Sequence, residues 1–283
     1  MTSSYLAQLA APPVFVIGHH RSGTTWVYDL LAYPEGVAGV FESWMFTDNL
    51  GFGSLLHWGH WGEGQKERVE KLTGTRAGLL QLVDREEVFE TCRELAERWL
   101  SNALKPTDRY LVEKTPDHLY STHIINEIFP MARFVNVIRD GRDVAASVRA
   151  ARSWNPMWMP KTLLSMYRVG QAWRNASDKG RALAREFGPR FFEVSYETLR
   201  AAPKQTLTKL YSFCGFDFDE DTVEAALNAN ALEVRSKGPD DPFRRKGEVG
   251  GWKRELRLSD RLLFQLGAGP ALVDRGYTSS RWW

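Results

Sequence analysis

Pro12-Pro13 leads into four apolar residues, Val14-Phe15-Val16-Ile17. The segment Gly18-His19-His20-Arg21-Ser22-Gly23-Thr24-Thr25 follows, and Trp26, Val27, Leu30 and Leu31 then recur at helical spacing up to Pro34. A short continuous apolar run bounded by turn residues predicts a buried strand, and the periodic stretch after it predicts a helix that stops before the proline. Strand, glycine-bounded loop and helix in that order constrain the chain strongly. The backbone N–H groups of such a loop and of the first helical turn point at one spot, where the helix dipole adds partial positive charge, so the unit is a ready anion site. The position after the second glycine is Thr24, where a nucleotide triphosphatase carries its lysine; Arg21 supplies a cation from within the loop instead. On this loop alone, a glycine turn that only closes a strand–helix connection stays open as an alternative. A dinucleotide fingerprint fails, because Gly51-Phe52-Gly53 lacks both a third glycine and a preceding strand.

The same grammar recurs along the chain. Tyr110 to Glu113, Phe134 to Ile138 and Phe191 to Val194 read as further strands, while Asp84 to Leu104, Lys161 to Phe187 and the stretch through Leu199, Leu207 and Leu210 read as helices. Strands alternating with helices predict an α/β fold with a parallel sheet covered on both faces. The 283 residues, 43% hydrophobic and 25% charged, show no repeat or linker. The expected organisation is a flexible N-terminus over 1–12 and a single domain over 13–283. A net charge of +2 is far from that of a dedicated nucleic-acid binder. Cys92 and Cys214 have no paired spacing, and no run of ~18 apolar residues or signal-peptide pattern occurs, so a cytoplasmic protein without a membrane span is expected. His57 and His60 lack a third ligand, and no metal site is predicted.

Two other stretches carry cations. Arg139 ends the Phe134–Ile138 strand, where open α/β folds bind ligands, and Ser147 lies two turns into the helix that starts near Gly141 or Arg142. No acidic metal ligand stands at that strand end, which weakens a kinase or ATPase reading. The planar guanidinium of Arg139 suits a phosphate, although in isolation these residues read first as an Arg–Asp surface network. Arg244-Arg245-Lys246-Gly247, running on to Gly250, Gly251, Trp252 and Lys253, is a glycine-punctuated basic stretch suited either to a phosphate clamp or to a solvated charge run.

Together these stretches resemble the sulfotransferases that use 3′-phosphoadenosine 5′-phosphosulfate (PAPS). Arg21-Ser22-Gly23-Thr24-Thr25-Trp26 looks like the family's 5′-phosphosulfate loop. Arg139 and Ser147 match its 3′-phosphate pair in their separation of eight residues, and Arg245-Lys246-Gly247 with Gly250, Trp252 and Lys253 is similar to its C-terminal motif. The resemblance implies a P-loop-like, three-layer α/β domain with four or five parallel strands, PAPS as co-substrate, PAP as product, and no metal. It implies donor contacts from the loop, with His20 as a further candidate, from Arg139, Ser147 and the C-terminal motif, and from Tyr196 near the adenine. Trp26 would stack on the adenine, or else anchor the first helix in the core.

The chemistry follows from sulfuryl transfer in line through a loose state. Arg21 and Lys114, the latter in Glu113-Lys114-Thr115-Pro116, are the cations placed to meet charge on the leaving oxygen. The histidine that cytosolic relatives carry two residues after this lysine is replaced by Pro116. Glu42, about twenty residues after the loop as in the carbohydrate- and bacterial-type relatives, is the first candidate base, and His118 is the second. Aromatic and methionine side chains around 44–61 and 154–159 suit a lid over a small-molecule, lipid or carbohydrate acceptor, or an ordinary core. The family's dimer motif is absent, with Arg257-Leu258 at its Thr-Val positions, which leaves the oligomeric state open. A nucleotide kinase and a non-catalytic nucleotide-binding module are the competing readings.

Overall fold

The computed structural model describes residues 5–48, 51–53, 71, 83–151, 162, 164–231 and 247–280. In chain order the elements are β1 (Val14–Gly18), α1 (Thr24–Leu31), β2 (Val37–Phe41), α2 (Arg85–Ser101), β3 (Tyr110–Lys114), a 3-10 turn (Pro116–Tyr120), α3 (Thr122–Ile128) and β4 (Arg133–Ile138). The rest are α4 (Gly141–Ala151), α5 (Ser165–Phe187), β5 (Phe191–Ser195), α6 (Tyr196–Ala201), α7 (Pro203–Cys214), α8 (Glu220–Ala229), α9 (Trp252–Glu255) and α10 (Leu258–Asp274).

The five strands form one parallel sheet in the order β2-β3-β1-β4-β5. Central β1 pairs Val14 with both Val112 and Arg133, and at the edges Phe41 pairs with Lys114 and Ile138 with Ser195. Every residue of β1 is buried because both faces of the sheet are covered, which is why its sequence is continuously apolar and does not alternate. Val14 and Val16 face a core shared with α1, α7 and α8, whereas Phe15 and Ile17 face one shared with α2, α3 and α5. A third cluster, centred on Trp173, Trp252 and Phe264, joins α4, α5, α9 and α10. The arrangement is a three-layer, P-loop-like α/β fold.

Two features depart from the sequence reading. The edge strand β2 was not marked by any apolar run, since Gly39 interrupts it and Phe41 is 51% exposed. The segment expected to be loose is docked over its described part: Leu6 is buried in the core, the Ala10 N–H donates to the Arg109 carbonyl at 2.7 Å, and the Gln8 amide donates to the Lys105 carbonyl at 2.9 Å. No helix among the described residues is long and apolar enough to cross a membrane.

Candidate active site

Parallel strands deliver their carboxyl ends to one edge of the sheet, where open α/β folds bind ligands. All five contribute a candidate residue there. Arg21 lies in the loop after β1, Glu42 follows β2, Lys114 ends β3, Arg139 follows β4 and Tyr196 follows β5.

The 18–25 loop is shaped by its backbone. Gly23 has φ 98°, and a Cβ there would stand 2.5 Å from Tyr196 Cδ2, so only glycine lets the tyrosine ring lie against the loop. Arg21, a non-glycine residue, holds φ 67°, a conformation that persists only where surroundings enforce it. Its Nε donates to Ser147 Oγ at 3.0 Å, joining the 18–25 loop to helix α4 across 126 positions of sequence. Thr24 is buried and Thr25 half-buried at the start of α1. Beneath the loop, His19, Ser22, Asn136, Trp173 and Ser177 line a cavity of about 10 Å³, room for about one water. Burial holds the His19 imidazole down to about 4, against a hydrogen bond to the His20 carbonyl that acts the other way.

Arg139 is buried, its guanidinium 4.3 Å from the centre of the Tyr196 ring, and its Nη2 donates to the Glu248 carbonyl at 2.9 Å. The Tyr196 hydroxyl donates to the Gly247 carbonyl at 2.8 Å. Asp143, in the first turn of α4, accepts from the Gly250 and Trp252 amides at 2.8 and 2.9 Å, so the segment from Gly247 to Trp252 is fastened beside Arg139. Arg245 and Lys246 lie outside the described residues, as do His57, His60 and the 154–159 aromatics. Ser22 Oγ and Arg139 Nε are buried without a hydrogen-bond partner among the described residues. Buried polar groups are nearly always satisfied, so these two await a partner. A bound oxyanion fits both; for Ser22 a single water in the small cavity would also serve. The residues present therefore fit an anionic nucleotide held at two ends.

Lys114 is fully buried, with Nζ 2.6 Å from Glu42 Oε1 and 3.5 Å from the Phe41 ring centre. Burial pulls its ammonium below the ordinary lysine range, while Glu42, Glu113 and Asp29 pull it back up. The Glu42 side chain is 24% exposed, and φ is 49° at Glu42 and 54° at Trp44, so the turn after β2 is strained on both sides of Ser43.

His118, the second candidate base, is not placed for that role. It is fully buried, its Nδ1 lies 3.0 Å from Glu113 Oε2, and its Nε2 accepts from the Phe46 N–H at 3.2 Å, which occupies both ring nitrogens. The reason is local: the 3-10 turn that begins at Pro116 carries the ring into the core against Phe15 and Phe46. His20 Nε2 lies 2.9 Å from Asp117 Oδ1 and its ring stacks on Trp44, bridging the 18–25 loop to the turn after β2. Trp26 is buried, donates through Nε1 to the Asn230 carbonyl at 3.0 Å, and meets Tyr196 edge-on. Met45 and Phe46 belong to the core and not to a lid. Asp143, Asp117 and Glu113 were not singled out from sequence, because their roles lie in contacts across 5 to 109 positions.

A model described as the sulfotransferase family matches residues 12–220, well over half the chain. The chain is 24% identical over 266 residues to omega-hydroxy-beta-dihydromenaquinone-9 sulfotransferase Stf3 of Mycobacterium tuberculosis, the match taking in 75% of this chain and 65% of that protein. It is 28% identical over 205 residues to the protein-tyrosine sulfotransferase of Drosophila melanogaster, covering 71% of this chain and 38% of that one. The chain thus spans less than two thirds of the length of either relative. A mouse sulfotransferase solved with PAP superposes with a TM-score of 0.53 at 12% identity, covering 92% of this chain and 86% of the other, a likeness of fold. With the matched model and this geometry together, the chain belongs to the sulfotransferase family.

Proposed function

We propose that the chain moves the sulfuryl group of PAPS to a hydroxyl or amine of a small-molecule, lipid or carbohydrate acceptor, releasing PAP. The observation that supports this reading most is the 3.0 Å contact of Arg21 Nε with Ser147 Oγ, which joins the loop after β1 to helix α4. The loop after β1, with Ser22 to Trp26, would hold the 5′-phosphosulfate end; Arg139, Ser147, Tyr196 and the Gly247 segment, with Arg245 and Lys246, would hold the adenosine 3′-phosphate end. His20 would brace the loop against Trp44 through its contact with Asp117. The named acceptors of the two relatives, an omega-hydroxy menaquinone and protein tyrosine, support acceptance at a hydroxyl.

PAPS supplies an activated sulfuryl group with PAP as leaving group. Glu42 takes the acceptor proton as the bond from sulfur to the acceptor oxygen or nitrogen forms and the S–O bond to the 5′-phosphate breaks. Lys114 and Arg21 stabilise the negative charge that grows on the leaving phosphate oxygen. Two buried free thiols, Cys92 and Cys214, suit a reducing cytoplasm. The test is turnover of PAPS to PAP across a panel of phenols, lipids and sugars, set against ATP with Mg²⁺. Acceptor-dependent PAP release supports the reading; metal-dependent ATP turnover in its place favours the kinase.

A further inference from the structure

Four consecutive main-chain amides after Glu42 end on one buried carboxylate. The Ser43 N–H donates to Glu113 Oε1 at 3.2 Å. The Trp44 N–H donates to Thr115 Oγ1, which in turn donates to Glu113 Oε1 at 2.6 Å. The Met45 N–H donates to Ser43 Oγ, whose hydroxyl donates to Glu113 Oε1 at 2.7 Å. The Phe46 N–H donates to His118 Nε2, and His118 Nδ1 stands 3.0 Å from Glu113 Oε2.

Proton placement follows from these contacts. A backbone N–H can only donate, so His118 Nε2 is bare, Nδ1 carries the proton, and Glu113 is the acceptor of every bond made to it. Burial alone would raise the Glu113 carboxyl, but His118 and the hydrogen bonds from Thr115 and Ser43 outweigh it and hold it below the usual glutamate range. A wholly buried carboxylate is costly unless its acceptor capacity is filled, and here it is filled by Thr115, by His118 and by the amide and hydroxyl of Ser43 in the turn after β2. That turn holds left-handed backbone at Glu42 and Trp44, which persists only when the surroundings over-determine it.

We propose that Glu113 is the positioning residue of the active site, holding the 43–46 main chain in the strained shape that presents the Glu42 carboxylate to Lys114. Glu113 touches no reacting atom; it acts through Ser43, Thr115 and His118. The proposal rests on the reading of Glu42 as base.

Glu113→Gln tests it, because an amide puts N–H against His118 Nδ1–H, or forces the other His118 tautomer and puts N–H against the Phe46 amide. Hydrogen exchange of the Ser43–Phe46 amides is expected to quicken at least about tenfold with the 18–25 loop unchanged. Turnover should fall about 10- to 100-fold while PAP affinity stays within about twofold, as for a displaced catalytic group. Ser43→Ala and His118→Gln each remove one arm and keep the Glu42, Glu113 and Asp29 charges that face Lys114. In both, the alkaline limb of the pH–rate profile should move to lower pH as Glu42 withdraws from the lysine, a readout that a purely structural role would leave in place.

Unchanged exchange and turnover in Glu113→Gln overturn the proposal, as does an equal loss of turnover and PAP affinity. Should Glu113→Gln fail to fold, wild-type turnover and an unmoved alkaline limb in both single-arm variants overturn it equally. Wild-type turnover in Glu42→Gln would instead remove the base reading, and the exchange measurement separates that failure from this one.

Discussion

Lys114 Nζ lies 2.6 Å from Glu42 Oε1, an ion pair whose ammonium is fully buried and whose carboxylate reaches solvent. The pair joins the ends of β2 and β3 and combines a proton acceptor with a cation. Glu42→Gln keeps the shape and removes the charge. Turnover should fall ~10²–10⁴-fold, the range for loss of a general base, with PAP affinity within about twofold. Burial then acts on Lys114 with less opposition, so the alkaline limb of any residual activity should move to lower pH. Steady-state kinetics across pH, together with PAP titration, check both.

Gly23→Ala should cost the loop its form. The substitution places a Cβ in left-handed backbone and against the Tyr196 ring at 2.5 Å. Left-handed strain alone is worth about 1–2 kcal/mol, and the clash adds to it. PAP affinity should drop more than about tenfold, in the range expected from ~1.4 kcal/mol per decade, and the thermal midpoint should fall with it. An unchanged affinity would mean that Tyr196 does not bear on the loop.

Asp143→Ala should free the Gly250 and Trp252 amides. The buried Trp252 donor left unmet costs about 1–3 kcal/mol where water cannot reach it, and the part-buried Gly250 amide costs less. Denaturant unfolding should report the loss. PAP should also dissociate faster, because the Gly247–Trp252 segment is no longer fastened beside Arg139. A stability loss with an unaltered dissociation rate would confine Asp143 to a structural role.

Acid should weaken the fold through His19. Its folded-state pKa of about 4 lies below the ordinary histidine value of 6.5 because burial disfavours the cation. The neutral ring therefore contributes stability above pH 6.5 that is lost as pH falls toward 4, up to roughly 3 kcal/mol. His19→Asn, which keeps a donor for the His20 carbonyl, should flatten this part of the profile. Urea midpoints at several pH values between 4 and 7 make the comparison, and parallel profiles in the two proteins would contradict it.

The parts of the fold written in local pattern were legible from the amino-acid order. The apolar run of β1, the glycine-bounded loop and the α1 periodicity sit within eighteen residues, and both helices Arg85–Ser101 and Ser165–Phe187 fall inside the stretches read as helical. Edge strand β2 was not legible, since half-exposed strands carry a weak apolar signal and Gly39 breaks this one. The site was legible as residue types and opaque as contacts. Arg21 and Ser147 could be named, but their meeting across 126 positions could not. His118 looked available because depth is not written in local sequence, and it is depth that occupies both its nitrogens. Glu113 gave no signal of its own, because one of its partners, Ser43, lies in a separate turn 70 positions earlier and the others, Thr115 and His118, follow its own strand end.

Calorimetric titration of PAP and of adenosine 5′-phosphate into the wild-type protein and Arg139→Ala, in metal-free buffer, tests the account most directly. Wild-type protein should bind PAP at least about tenfold more tightly than the nucleotide lacking the 3′-phosphate, since a charge-assisted contact to a buried guanidinium is worth about 1.5–3 kcal/mol. Arg139→Ala should erase most of that preference while leaving the weaker nucleotide nearly unaffected. Equal affinity of the wild-type protein for the two nucleotides, or no binding of either, would contradict the account.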